Sequence, residues 1–196
     1  MRKLGLYLAA SCIVVSALLA SMPSAYAKAD DDDRSIVGTW VFTITLSQPP
    51  ELAGFAFTDL IAINRGGTLT NTSTVSHAHT SENPFLPPPA VVDVSDGYGA
   101  WKRVGDDSNQ FALTLRRFLF AGAKTPTALY GSFFPGQNVG ELNVQAVATL
   151  HTGEGGDTLT DGQATFQLVN LAGAVVFAGS ETFSARRLRI KPLATP

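Results

Sequence analysis

Apolar and polar residues alternate along most of this chain with a period of two, which is typical of β-strands with one buried face. The first clear run places Gly38, Trp40, Phe42, Ile44 and Leu46 on one parity, with threonine and valine between them. Glycine, proline, asparagine and aspartate separate this run from those that follow, as turn residues do. No convincing helical stretch interrupts the series, so the pattern predicts a β protein.

The pattern predicts eight strands, over 36–46, 55–64, 68–75, 98–104, 110–121, 139–152, 158–171 and 174–189. The last four are long and closely joined, which indicates a meander. An open sheet of eight strands would leave two unpaired edges, whereas closure removes both. We therefore expect an all-β fold, a single antiparallel up-and-down barrel of about eight strands. A sandwich of two sheets is the alternative.

The fifth predicted strand contains an irregularity. Its apolar residues have odd numbers as far as Leu115 and even numbers from Phe118 to Phe120, with Arg116 and Arg117 between them. A β-bulge at the arginine pair would absorb the shift. We therefore predict a bulge there, with both phenylalanines facing the interior.

The N-terminus has the composition of a secretory signal peptide. A basic start is followed by an apolar stretch over 4–22, and Ala25 and Ala27 supply small residues for cleavage after Ala27. A membrane helix and a lipid anchor at Cys12 are the alternatives. Cleavage would remove the one cysteine, and secretion without disulfides fits a bacterial periplasm or exterior. We expect a secreted or periplasmic protein with no stable membrane insertion after cleavage.

The leader, the acidic run and the predicted strands divide the chain into four segments. We predict a signal peptide over 1–27, an acidic disordered arm over 28–35, a barrel domain over 36–190 and a tail over 191–196. The formal net charge is −2 and only 15% of the residues are charged. Such a chain lacks the basic surface that nucleic-acid binding needs, so we expect no nucleic-acid partner.

The segment over 76–95 is the longest irregular stretch. Its prolines, Pro84, Pro87, Pro88 and Pro89, prevent regular strand pairing. Loops of this length in compact domains are commonly lids or functional loops. We interpret it as a flap over one barrel mouth, with a plain surface loop as the alternative.

Two short motifs resemble a known superfamily. Gly38-Thr39-Trp40 near the start and Arg186 or Arg187 near the end look like the kernel of lipocalin-like (calycin) barrels. The stretch from Gly97 to Arg103, followed by Phe111-Ala112-Leu113-Thr114, is similar to bacterial secreted lipocalin-like proteins. The resemblance implies a structural kernel of Gly38, Trp40, Arg186 and Arg187, in which an arginine covers the indole at one end of the barrel. The usual lipocalin disulfide is absent.

An eight-stranded barrel encloses an interior wide enough for side chains or one small ligand. Arginines could anchor an anionic group through paired donors, and aromatic residues could supply an apolar lining. Plain core or surface positions are the alternative for each of them. The candidate ligand-binding residues are Trp101, Arg103, Arg116, Phe118, Phe120 and Tyr130, with Arg117 as a further possible anchor.

The sequence contains no recognisable catalytic motif, and we expect no cofactor. Its three histidines, His77, His79 and His151, make a poor metal set without cysteine, so we expect no metal site. Barrels related to nitrobindin bind haem through one histidine, but nothing selects His151 for that role. Asp59 shares the inward parity of its strand; it is either an acid or ligand anchor or, as we favour, a residue that sits at a strand end or pairs with an arginine.

These observations favour a binding module that holds a small apolar or amphipathic molecule inside the barrel. A barrel enzyme of the cyclase or isomerase type, similar to allene oxide cyclase and acting by pocket shape, is the first alternative. A structural or inhibitory protein with a filled core is the second. We consider an enzyme less well supported than a binding module.

Overall fold

The computed structural model describes residues 36–76, 88–105, 108–154 and 156–189. The predicted signal peptide, acidic arm and C-terminal tail, together with His77 and His79, lie outside this part of the chain. The strands are β1 (Gly38–Gln48), β2 (Ala56–Ile63), β3 (Thr68–Ser73), β4 (Asp93–Val94), β5 (Gly97–Arg103), β6 (Gln110–Phe120), β7 (Asn138–His151), β8 (Thr158–Asn170) and β9 (Val175–Arg187). One helical turn, α1 (Thr127–Tyr130), and two 3-10 turns, Pro50–Leu52 and Pro88–Ala90, complete the described elements.

Eight strands form one closed antiparallel barrel. Their order around it is β1-β2-β3-β5-β6-β7-β8-β9, and β9 returns to pair with β1. The register of that last pair runs from Trp40 opposite Arg187 to Gln48 opposite Ser180, with one irregularity near its end. The prediction of a closed up-and-down barrel is confirmed, and the two-sheet alternative is wrong because the first and last strands belong to the same layer.

The two-residue strand β4 was not predicted. It pairs with the end of β6, where Asp93 lies opposite Phe120. β4 and β5 pair with the same edge of β6, one after the other along the strand. The 3-10 turn Pro88–Ala90 just before it contacts β9, which lies three strands from β3 around the barrel. The described part of the long proline-containing segment therefore crosses one end of the barrel.

The predicted bulge in β6 is wrong. The register of β6 against β7 continues without a break through Arg116 and Arg117, and its one irregularity falls between Leu119 and Phe120. Arg117 keeps the inward parity and is buried, whereas Phe118 faces outward and is 48% exposed. The apparent shift in parity arises because a buried arginine occupies a position at which the pattern suggested an apolar residue.

The interior divides into two apolar clusters, one towards each end of the barrel. The first surrounds Trp40, Trp101 and Phe111, at the end where β1 begins. The second includes Leu52, Leu119 and Val139, at the end where β1 finishes. We call these the closed end and the mouth, because residue packing is continuous around Trp40 whereas a cavity lies towards the other end.

The closed end has the arrangement that the resemblance implied. The Arg187 guanidinium carbon lies 4.6 Å from the centre of the Trp40 ring, and Trp40 is fully buried. Arg187 also donates to the Val37 carbonyl and forms an ion pair of 2.7 Å with Asp157. At Gly38, φ is 148° and a β-carbon would lie 2.6 Å from the Arg187 guanidinium, so the position requires glycine. Arg186, the other candidate, is exposed.

Within the described residues, no helix is both long and apolar enough to cross a membrane.

Candidate functional site

An apolar cavity of about 150 Å³ lies inside the barrel, in the half nearer the mouth. Inward side chains from most strands of the barrel line it, and the described part of the segment that crosses the mouth adds Ala90, Val92 and Val94. The apolar lining from the strands includes Phe42, Ile44, Leu46, Phe57, Leu115, Leu119, Leu142, Val144, Phe166, Leu168 and Phe183. The lining is therefore overwhelmingly aliphatic and aromatic, which suits an apolar ligand.

The mouth is covered in part by the crossing segment. Val91 and Val92 are buried, and the Val91 carbonyl accepts a hydrogen bond of 2.6 Å from the Thr125 hydroxyl. This bond joins the crossing segment to the connection between β6 and β7. The partial exposure of Phe55 and Phe177, which also line the cavity, shows that the apolar lining continues to the barrel rim.

Three charged side chains line the cavity among the described residues: Asp59, Arg117 and Glu181. Asp59 on β2 and Arg117 on β6 form an ion pair of 2.5 Å, and both are at least 95% buried. Asn71 on β3 completes this group, since its amide nitrogen donates to the Asp59 carboxylate at 2.7 Å and its oxygen accepts from Arg117. Of the two favoured interpretations of Asp59, a strand end or an arginine partner, the structure shows the arginine partner.

The side chain of Arg117 reaches Asn71 by crossing β5 at a glycine. Gly97 pairs with Asn71 on one side, and the neighbouring pair of Tyr98 with Arg116 places Gly97 beside Arg117 on the other. A β-carbon at Gly97 would lie 3.1 Å from the Arg117 γ-carbon and 2.7 Å from a Leu115 methyl group. The missing side chain on β5 thus provides the space that the arginine occupies.

Glu181 on β9 is the third charged group. It lies opposite Leu46 of β1 and Ala164 of β8, and its side chain is only 8% exposed. Burial raises the pKa of its carboxyl from 4.5 to about 7; the negative charge of Asp59 adds to the rise and Arg117 opposes it. No hydrogen bond to this carboxyl is found within the described part of the chain.

The ion pair does not use all of its own hydrogen-bonding capacity. The Asp59 Oδ1 and the Arg117 Nε are buried, and neither has a hydrogen-bond partner among the described residues. Buried polar groups are normally satisfied, so unpaired ones beside a cavity suggest a group that occupies it. The cavity therefore combines a large apolar wall with a compact polar patch formed by Asp59, Asn71, Arg117 and Glu181, which we call the polar patch.

Two of the predicted ligand-binding residues lie at the closed end. Trp101 packs against Phe111 with ring centres 5.9 Å apart and donates its indole N–H to the Asn64 carbonyl at 2.9 Å. The Arg103 guanidinium carbon lies 5.3 Å from the centre of the same Phe111 ring. Neither residue lines the cavity, and both contribute to the packing of that end.

The other four predicted residues are separated from the cavity in different ways. Arg116 and Phe118 are exposed on the outer face of β6, where Arg116 forms an ion pair of 3.3 Å with Glu141. Phe120 has the same outward parity and is half-buried. Tyr130 is buried in the apolar cluster at the mouth, and burial raises the pKa of its hydroxyl. The structure does not bring these residues together.

The residues that do line the polar patch were partly visible in the sequence. The sequence predicts an inward Asp59 and offers Arg117 as a possible anchor for an anion or a plain core or surface position. Glu181 was missed, although it shares the parity of the apolar Phe183 and Ala185. An acidic residue on the inner parity of a strand is the signal that could have found it.

The described residues contain no group of three or more metal-ligating side chains that could hold a metal ion. His151 is exposed at the end of β7.

No protein-family model matches the chain, and comparisons with curated proteins and with solved structures return no match.

Proposed function

We propose that this protein is a binding module that holds one small amphipathic molecule inside its barrel. The cavity beside the polar patch is the observation that carries this proposal. Its apolar wall would bury the body of the ligand, and the polar patch would bind its head group. An apolar cavity of about 150 Å³ accepts a molecule the size of benzene, so the expected ligand is small or inserts only one end.

The lining supports a ligand that is mainly apolar. Aliphatic and aromatic side chains from opposite walls of the barrel, such as Ile44, Leu115 and Phe166, all face the same space. Burial of apolar ligand surface there contributes about 25 cal/mol per Å². The closed end supplies the rigidity, because Arg187 and Trp40 join the first and last strands of the barrel.

Calorimetric titration with n-hexanol, a small amphipathic probe, would test the proposal. We expect saturable binding of one molecule with a Kd below about 1 mM, and a rise in melting temperature with hexanol concentration. Native mass spectrometry of protein purified gently from its host would show whether a ligand is retained.

A matched pair of variants would locate the bound probe. Val144→Phe places a ring in the cavity, whereas Val147→Phe places the same ring on the outer face of β7, where Val147 is 44% exposed. We expect the first variant to abolish hexanol binding and the second to retain it. Absence of hexanol binding by the unmodified protein, or equal binding by both variants, would contradict the proposal.

An enzyme is the second candidate, and the carboxyl of Glu181 is what favours it. Its pKa of about 7 suits a proton donor or acceptor at neutral pH, and it faces an apolar cavity beside a permanently paired carboxylate. Such a site could catalyse a cyclisation or isomerisation through one proton transfer. A solvent-derived deuterium in a product formed by the unmodified protein, and not by Glu181→Gln, would support this activity.

We also infer that the chain is secreted or periplasmic and related to lipocalin-like barrels of bacteria. The basic and apolar leader supports the first inference, and the contact of Arg187 with Trp40 supports the second. The N-terminal sequence of the protein exported from its host should begin after Ala27. A retained leader would contradict export through cleavage.

A further inference from the structure

The charges around the cavity do not balance. Asp59 and Arg117 neutralise each other, and Glu181 adds a second carboxyl for which the described residues provide no cation. The other charged side chains of β2, β6 and β9 that the structure describes are Arg116 and Arg186, which are exposed, and Arg187, which covers Trp40 at the closed end and pairs with Asp157. β1 and β8, which flank Glu181, contribute Leu46 and Ala164 opposite it.

The hydrogen bonds of the polar patch, like its charge, indicate a ligand that donates. None of the described residues donates a hydrogen bond to the Asp59 Oδ1, and Asp59 is only 2% exposed. Glu181 supplies further acceptor oxygens on the cavity wall. Both hydrogen bonds of Arg117 to Asp59 and Asn71 start at Nη2, and its buried Nε has no partner among the described residues.

We propose that the ligand is an amine carried as its ammonium form, with the nitrogen bound between Glu181 and Asp59 and the hydrocarbon part in the apolar cavity. This inference rests on the proposed binding function and names the chemical class of its ligand. An ammonium group brings donors to both carboxylates and neutralises the unbalanced charge. Charge-assisted hydrogen bonds of this kind are stronger than neutral ones, and more so away from water.

The same polar patch disfavours an anionic ligand. A carboxylate could accept from the Arg117 Nε, but the positive charge of Arg117 is already neutralised by Asp59, and the carboxylate would lie next to two acidic side chains, Asp59 and Glu181. An alcohol could donate one hydrogen bond to Asp59 and accept one from the Arg117 Nε, but it would leave the charge of Glu181 without a counter-ion. Three ligands of six carbons with different head groups therefore distinguish the possibilities; the alkyl chain of the carboxylate is one carbon shorter, which by itself weakens binding by about fourfold.

The test compares the affinities of n-hexylamine, n-hexanol and n-hexanoate by calorimetry at about pH 8. At this pH Glu181 is mostly ionised and the amine is mostly protonated. We expect hexylamine to bind about tenfold more tightly than hexanol, and hexanoate to bind at least about tenfold more weakly than hexanol. In Glu181→Gln, the preference for hexylamine over hexanol should fall from about tenfold to about onefold.

Glu141→Gln is the matched control. Glu141 lies on the outer face of β7 and pairs with Arg116, so its substitution removes the same charge from the molecule without touching the cavity. This variant should keep the preference for hexylamine. A loss of preference in Glu141→Gln as large as in Glu181→Gln would show that only the net charge of the protein matters, and would overturn the inference.

Proton release provides a second measurement. At about pH 6 the carboxyl of Glu181 is mostly protonated, so an incoming ammonium ion should displace its proton to the solvent. Titrations in two buffers with different ionisation enthalpies should therefore show proton release for hexylamine at that pH and none for hexanol. Absence of release for a bound amine would overturn the contact with Glu181.

The possible failures are distinguishable. If none of the three six-carbon compounds binds, the proposed binding function is wrong. If hexanol binds and hexylamine binds no more tightly, the barrel is a binding module but the ligand is not an amine. If hexanoate binds most tightly, Arg117 is available to anions and the assignment of the polar patch is wrong.

Discussion

A buried arginine is the residue on which the interior of this barrel depends. Arg117 is 5% exposed, and its charge is neutralised by Asp59 in β2, three strands away around the barrel. Burial of such a pair costs desolvation energy that the ion-pair attraction only partly repays. Removal of one partner leaves an unpaired charge in an apolar environment, whereas removal of both does not.

We therefore expect Arg117→Leu to lower the free energy of unfolding by about 3–5 kcal/mol, and the double variant Asp59→Leu with Arg117→Leu to recover most of that loss. Urea denaturation measures both changes. Arg116→Leu is the control, because its pair with Glu141 is exposed and contributes about 0–1 kcal/mol. Equal losses for the neighbouring arginines would contradict the burial of Arg117.

Glu181 makes stability depend on pH in a direction that can be predicted. Its carboxyl holds a proton more tightly in the folded protein, with a pKa of about 7, than in the unfolded chain, at 4.5. Between these values the folded state binds more protons, so stability falls as pH rises. The contribution is complete below 4.5 and is lost as the pH rises through about 7.

The expected size of this loss is about 3 kcal/mol between acidic and mildly alkaline solution. Denaturation curves at several pH values should show it as a difference between the unmodified protein and Glu181→Gln, which lacks the titrating group. A difference that stays constant with pH, or that grows in the opposite direction, would show that the carboxyl is not held in an apolar environment.

At the scale of elements, the pairing of β1 with β9 is reinforced by side chains. Arg187 on β9 covers Trp40 on β1, bonds to the Val37 carbonyl and pairs with Asp157 in the turn before β8. The exposed neighbour Arg186 is the matched comparison. Two adjacent arginines thus have different roles, determined by which face of the strand each occupies.

Arg187→Met should lower the free energy of unfolding by about 2 kcal/mol, because it removes the contact with the indole and a partly buried ion pair. Arg186→Met should change it by less than about 0.5 kcal/mol. Thermal unfolding followed by tryptophan fluorescence measures both. The opposite order of effects would assign the kernel role to Arg186.

β5 contributes to the site through an absent side chain. Gly97→Ala would place a methyl group against Leu115 and Arg117, and we expect it to destabilise the fold by about 1–3 kcal/mol. It should also weaken probe binding, since the arginine must move. Gly153→Ala is the control because no atom lies within 4 Å of its added β-carbon. Similar tolerance of both substitutions in denaturant titrations would contradict this account.

For the whole molecule, closure predicts a pattern of hydrogen exchange. A closed barrel has no edge strand, so the amides of β1 and β9 should be protected to within about tenfold of those in β8. In an open sheet, outward-facing amides at the edges would exchange much faster. Amide exchange followed by nuclear magnetic resonance would reveal such an edge between β1 and β9 if closure were absent.

The sequence by itself determined where the strands lie and which face of most of them is buried. Period two is a local property, so the alternation from Trp40 to Leu46 was sufficient to predict the inner face of β1. The eight predicted strands agree with the observed ones to within a few residues. The two-residue β4 was not predicted because it is too short to show alternation.

The polar patch was decided by tertiary structure. The inward position of Arg117 depends on Asp59, which lies 58 residues away in the chain, and on the absent side chain of Gly97. No local pattern contains that information, so parity alone suggested a bulge and an inward Phe118. The sequence determines each strand through its nearest neighbours, whereas the cavity and its unbalanced charge exist only because closure places distant strands face to face.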